Sequence, residues 1–165
     1  GSVILTELPN YINESTHVLV QGDTATCYFA AICAYNMNIK VIHLEAGMRT
    51  YDLCAPYPEE GYRQMISRIA SIHLCPSIKE YNNLMCENIN SQNVYVTGNT
   101  ILDLVKQYAY PIENSDSIIV TLHRRENWNS YSLIIDQVSL LCQQNPKKNL
   151  LLYQAPESVT FKTSR

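Results

Sequence analysis

Apolar and polar positions divide this chain into short β-type runs separated by longer helical ones. His17-Val18-Leu19-Val20-Gln21, Lys40-Val41-Ile42-His43-Leu44, Ile72 to Cys75 and Asn93-Val94-Tyr95-Val96-Thr97 are rich in β-branched and apolar residues and are bounded by turn formers. Between and around them the period changes to that of a helix. Leu5, Leu8 and Ile12 predict an amphipathic helix over 3–14, against which Pro9 counts. Gly22-Asp23-Thr24 offers turn and cap chemistry for a helix over 25–35. Met65, Ile66, Ile69 and Ala70 mark a helix over 59–71 with Arg63 and Arg68 on its polar side. Ser77 with Glu80 three positions on reads as a capping box for a helix to about Glu87, and Gly98-Asn99-Thr100 opens one to about Tyr108. Strand and helix alternate with short connections, which predicts an α/β fold with a doubly wound, mostly parallel sheet.

The rhythm breaks at the polar, proline-containing stretch 111–117, the best candidate linker, and divides the chain into lobes at 1–110 and 111–165. In the second lobe, 118–122 reads as a strand ending at His123, 133–142 as a helix and 150–153 as a strand. A single β-α-β unit cannot cover both faces of a sheet, so this lobe reads as truncated.

Composition narrows the function classes. With 165 residues and 46% hydrophobic content the chain suits one average domain or two small lobes with a buried core. A formal net charge of -3, with acids and bases intermixed, supplies neither a basic face for nucleic acid nor a polybasic membrane anchor. Neither a bilayer-length apolar run nor a signal-peptide pattern is present, which points to a soluble cytoplasmic protein. The six cysteines include no C-x-x-C pair and no Cys/His metal spacing, so they are expected to be reduced thiols, with no metal bound.

The candidate chemistry gathers at strand ends. Asp23 and Glu45 each follow a strand, Glu59 and Glu60 follow Pro58, and His123-Arg124-Arg125-Glu126-Asn127 closes the fifth strand. Ligands of open α/β sheets bind along this carboxyl edge. Desolvation or a neighbouring carboxylate equips an acid there for proton transfer near neutral pH. Each residue also has a plain structural reading: Asp23 as a helix cap, Glu45 as a loop salt bridge to Arg49, Glu59 and Glu60 as first-turn charges complementing the helix dipole. That last reading is strongest for Glu60. Arg63, one turn after Glu59, suits either an ion pair or a bidentate grip on phosphate, and His123 with Arg124 suits a diphosphate leaving group or an ordinary basic loop. His17, His43 and His73 read as packing residues. Thr97-Gly98-Asn99-Thr100 has a single glycine and falls short of a glycine-rich phosphate cradle, leaving helix N-termini and arginines for that task.

In order, Gln21-Gly22-Asp23-Thr24, His43-Leu44-Glu45-Ala46-Gly47-Met48-Arg49-Thr50, Pro58-Glu59-Glu60 with Arg63, Val96-Thr97-Gly98-Asn99-Thr100 and Thr121-Leu122-His123-Arg124-Arg125-Glu126-Asn127-Trp128 closely resemble the non-hydrolysing UDP-N-acetylglucosamine 2-epimerases. The match runs from about residue 4 to about residue 145. The resemblance implies a glycosyltransferase-B-like fold of two Rossmann-like lobes that bind a UDP-sugar in the cleft between them, with neither metal nor nicotinamide. It implies an isomerase that eliminates UDP to give a 2-acetamidoglucal and re-adds it to give UDP-N-acetylmannosamine. It makes Asp23, Glu45 and Glu59 the acid/base carboxylates and His123 the group that meets the diphosphate and assists its departure; the cationic chemistry of the residues themselves adds Arg63 and Arg124 as candidate substrate contacts.

Two family segments have no counterpart here: an amino-terminal Gly-Thr-Arg-Pro-Glu-like loop and a carboxyl-terminal Ser-Gly-Gly stretch with a Glu that grips the nucleoside. Gln154-Ala155-Pro156-Glu157 stands where a Pro-Val-His-like segment is expected, and 158–165 reads as an irregular tail. The expectation is a fragment, a split gene or a degenerate copy with little activity alone, working as a homodimer or with a complementing fragment. Two competing readings are a non-catalytic subunit that pairs through an exposed sheet edge and another nucleotide-sugar enzyme of the same fold.

Overall fold

The computed structural model describes residues 1–108, 117–122, 130–146 and 149–154. The chain divides into two compact units, Gly1–Ala109 and Tyr110–Arg165.

The first unit opens with α1 (Ser2–Glu7) and α2 (Pro9–Ile12) in place of one continuous helix. Pro9 has no N–H to continue the ladder, so it takes the first position of a new helix instead. Then come β1 (His17–Gln21), α3 (Ala25–Asn36), β2 (Lys40–Leu44), α4 (Glu59–Ile69), β3 (Ile72–Cys75), α5 (Ile78–Cys86), a 3-10 turn at Ser91–Asn93, β4 (Val94–Val96) and α6 (Thr100–Tyr108). The four strands are parallel in the order β1-β2-β3-β4. Val20 faces His43, His43 faces His73 and His73 faces Val94. That register sets Val20, Val41, His43, His73, Cys75 and Val94 on one face, all buried.

Helices cover this face. Val20 and Val41 join Cys27, Ala31, Cys33 and Ala34 of α3 and Ile66 of α4 in one apolar cluster, and Cys75 and Val94 join Leu84 of α5 in another. Uniformly apolar strands predict burial on both sides. The opposite face is more open, with Leu19 59% and Tyr95 52% exposed at its two ends.

Two helix ends follow one rule. After α3, Asn38 takes a left-handed φ of 58°, the Ile39 N–H donates to the Ala34 carbonyl at 2.9 Å and the Asn38 N–H to that of Tyr35 at 3.0 Å. After α5, Asn88 (φ 59°), Ile89, Leu84 and Met85 repeat the pattern. Both are Schellman motifs with asparagine in the αL position, and each turns the chain sharply toward the next strand.

In the second unit β5 (Ser117–Leu122) and β6 (Asn149–Gln154) pair in parallel, joined through α7 (Tyr131–Gln144). This is one β-α-β unit, and its two strands form a sheet of their own.

Candidate functional site

The site is built where β1 and β2 end together. Gln21 pairs with Leu44, so the next residues, Gly22 and Glu45, leave adjacent strands side by side. Gly22 is held at φ 74° by its N–H donating to the Leu44 carbonyl at 3.0 Å, and its own carbonyl accepts from His43 Nε2 at 2.9 Å and from Cys27 Sγ at 3.2 Å. A Cβ at this position stands only 3.6 Å from Glu45 Oε2, which locates the Glu45 carboxylate against the turn that carries Asp23.

Asp23 is not the helix cap. Thr24 does that work, its Oγ1 accepting from the Cys27 N–H at 3.3 Å. A threonine in extended conformation directly before the helix is the better-placed acceptor, which releases Asp23 for another partner. Asp23 Oδ2 lies 2.6 Å from Arg63 Nη2, with 28% of the aspartate side chain exposed.

Glu45 likewise departs from its plain reading. The Arg49 side chain is fully buried and gives Nε and Nη2 to Glu87 at 2.6 and 3.0 Å and Nη2 to Ser67 Oγ at 2.9 Å, so no salt bridge to Glu45 forms. Instead Glu45 Oε1 accepts from Gln21 Nε2 at 2.9 Å. The Glu45 backbone has φ 63°, a left-handed conformation that is uncommon for a residue other than glycine or asparagine and costs it free energy.

Glu59 opens α4 half-buried, and its Oε2 is buried without a hydrogen-bond partner. Arg63 follows it by one helical turn. That arginine does not lie on a polar face: its side chain is 11% exposed and its terminal nitrogens reach Asp23 and, at 3.5 Å, Glu60 Oε2. The predicted coupling to Glu59 is therefore redirected to two other acids.

Glu60, read from sequence as a first-turn charge, is fully buried. Its carboxylate accepts from the backbone N–H groups of Thr50 and Tyr51 at 3.0 and 3.1 Å and from Gln64 Nε2 at 2.8 Å. Burial works against its charge, but these donors outweigh it and hold the carboxyl below its ordinary range. The only sequence signal was an acid three residues before an arginine, which does not distinguish a buried pair from a surface one.

His43 and His73 are packing residues, as predicted. Both are buried and in register, their Nε2 atoms bonded to the Gly22 and Ser67 carbonyls at 2.9 and 3.0 Å. Burial lowers His43 to about 4 and also lowers His73, so both rings are neutral at pH 7. His17 is instead exposed, beside Thr16 Oγ1. Burial, then the negative charges of Asp23 and Glu45, push the Cys27 thiol up to about 11, which disqualifies it as a nucleophile. Among the described residues no cluster of His, Cys, Asp and Glu is arranged to hold a metal ion. His123 and Arg124 lie outside the described residues.

Asp23 and Glu45 thus follow the carboxyl-terminal ends of two adjacent parallel strands, and Glu59 opens α4 one turn before the arginine that meets Asp23. This is an α/β protein with a carboxylate-lined candidate site at its strand ends. The UDP-N-acetylglucosamine 2-epimerase family model matches residues 3–162, and the chain belongs to that family. A UDP-N-acetylglucosamine 2-epimerase of Campylobacter jejuni is 35% identical over 167 residues, covering 87% of this chain and 44% of its own length. The Neisseria meningitidis enzyme solved bound to UDP-GlcNAc superposes with a TM-score of 0.82 at 31% identity, over 94% of this chain and 47% of that one. The Staphylococcus aureus MnaA protein solved with UDP gives a TM-score of 0.86 at 30% identity, again over 94% and 47%. These solved relatives have the glycosyltransferase-B type of fold, and the chain spans about half the length of the relatives it matches.

Proposed function

We propose that this chain supplies the carboxylate side of a UDP-N-acetylglucosamine 2-epimerase site in a cytoplasmic protein. The observation that carries the reading is the placement of Asp23 and Glu45 on adjacent strand ends, with Glu59 at the start of α4. In the forward reaction a carboxylate takes the proton from sugar carbon 2. The electron pair forms the C1=C2 double bond, and the C1–O bond breaks, its electrons leaving with the UDP oxygen. In the return step UDP oxygen attacks C1 and a carboxylic acid delivers a proton to the opposite face of C2.

Removing a carbon-bound proton beside an acetamido group needs a positioned base and stabilisation of the departing charge. Asp23, Glu45 and Glu59 are the acid/base groups of this reading. His123 and Arg124 meet the diphosphate, while the terminal nitrogens of Arg63 are already engaged by Asp23 and Glu60. Glu45 and Asp23 follow adjacent strand ends and differ in partner, an amide for one and a guanidinium for the other.

A coupled assay for UDP-N-acetylmannosamine tests the proposal. The chain alone is expected to turn over little substrate, and activity is expected once a complementing segment of a longer relative is supplied. In that mixture Asp23→Asn and Glu45→Gln should each lower kcat by about 10²-fold or more without unfolding the protein. Retained turnover in both variants would end the assignment. A partner, either a second copy or a complementing chain, is proposed to pair along β1, which among the described residues has a strand neighbour on one side only.

A further inference from the structure

The most heavily bonded acid of the site is one that the proposed chemistry does not use. Glu60 is fully buried, yet both of its oxygens are engaged. Oε1 accepts from the Tyr51 N–H and from Gln64 Nε2, and Oε2 accepts from the Thr50 N–H and faces Arg63 Nη1. These partners belong to different segments. Thr50 and Tyr51 lie in the loop that leaves Glu45, Arg63 is one turn into α4, and through its other terminal nitrogen Arg63 reaches Asp23 after β1. Glu59 is the preceding residue. One buried carboxylate therefore touches, directly or through one guanidinium, every described segment that carries a proposed acid/base group.

The loop it holds is strained. Tyr51 has φ 59° and Glu45 φ 63°, and left-handed conformations at such residues persist only where neighbouring structure over-determines them. Two backbone N–H groups on one buried carboxylate provide that restraint beside Tyr51. Guanidinium geometry explains why the relay passes through an arginine: its planar fork holds two carboxylates in fixed directions at once, as a lysine ammonium does not.

We infer that Glu60 and Arg63 form a positioning pair, in which Glu60 fixes the loop at Thr50–Tyr51 and orients Arg63, and Arg63 in turn fixes the direction of the Asp23 carboxylate at the end of β1. The inference rests on the proposed role of Asp23 and Glu45. Its test does not, because it reads the coupling by NMR in the unliganded full chain and leaves turnover aside.

In Glu60→Gln, amide exchange at Thr50 and Tyr51 should quicken by roughly tenfold or more, the consequence of losing a charge-assisted bond. The Asp23 carboxyl carbon signal should move as well, although Glu60 and Asp23 share no direct hydrogen bond. A purely local role for Glu60 shifts the two amides and leaves Asp23 where it was, and that result would overturn the inference. Should Glu60→Gln fail to fold, Arg63→Lys carries the test. It should displace the Asp23 signal and the Thr50 and Tyr51 amides together, whereas movement at Asp23 alone would refute the link to Glu60. If coupling is observed while the epimerase assay is negative, the positioning pair stands and the proposed substrate falls.

Discussion

Glu60 and His43 are buried side chains that titrate in opposite circumstances, and both make the fold sensitive to acid. His43 has an ordinary value of 6.5 and a folded value of about 4, so between those limits the unfolded chain binds a proton that the fold refuses. The stability from burying neutral His43 is fully present above pH 6.5 and is lost as pH falls toward about 4. His73, lowered by burial too, adds in the same direction. Glu60 is held below its ordinary 4.5, so its contribution is present above that pH and disappears only as pH falls through its lower folded value. Chemical unfolding across a pH series should show stability falling by up to about 1.4 kcal/mol per pH unit for each such proton. His43→Gln should flatten the slope between pH 6.5 and 4 and leave the more acidic limb. A wild-type profile that is level from pH 7 to pH 5 would contradict this account.

At the scale of elements, the path of the loop after β2 depends on one close approach. Gly47 has φ 88°, and a Cβ there would collide with the backbone carbonyl of Glu80, so the Glu45–Arg49 segment can lie against α5 only without a side chain at that point. Asn83 Nδ2 fastens the same place by donating to the Gly47 carbonyl at 2.9 Å. Gly47→Ala should cost more than about 2 kcal/mol, because backbone must move as well as take an unfavourable φ. Gly98→Ala is the control: its φ is 85° but its surroundings are open, so it should cost about 1 kcal/mol. Equal losses in thermal unfolding would mean that the contact with Glu80 is not what fixes the loop. The start of α5 is held more loosely than a capping box, since Glu80 takes the Ser77 hydroxyl while Ser77 Oγ accepts from the Lys79 N–H.

For the whole molecule, the outer face of the first sheet and its β1 edge are the features that a longer relative or a second copy has reason to cover. Leu19 is exposed in the middle of the edge strand β1, a position where soluble proteins usually place charge or a covering element. Sedimentation velocity over a concentration series should show self-association, and Leu19→Lys should weaken it by about tenfold or more. A monomer at the highest concentration would remove the second copy as partner and leave the complementing chain. Among the described residues no helix is long and apolar enough to cross a membrane.

Much of this was legible along the chain. Strand periodicity located β1 to β4 to within a residue or two, and with them the fact that Asp23 and Glu45 follow strand ends; the parallel α/β class came from the alternation alone. Asn38 and Asn88, each followed by an isoleucine, also carried a helix-stop signal that the reading did not use. What periodicity could not assign was partnership. Thr24 and Asp23 are both acceptable caps, Glu59 and Glu60 both acceptable first-turn acids, and Arg49 and Arg63 both plausible partners for any nearby acid. The choice depends on which side chain points into the interior and which partners wait there, and those partners come from segments 10 to 40 residues away, such as Thr50 for Glu60, Asp23 for Arg63 and Glu87 for Arg49. Local propensity therefore settled where the acids lie on the sheet rim, and only the packed tertiary structure decided which partner each of them takes and how deeply each is buried, because those partners arrive from distant segments.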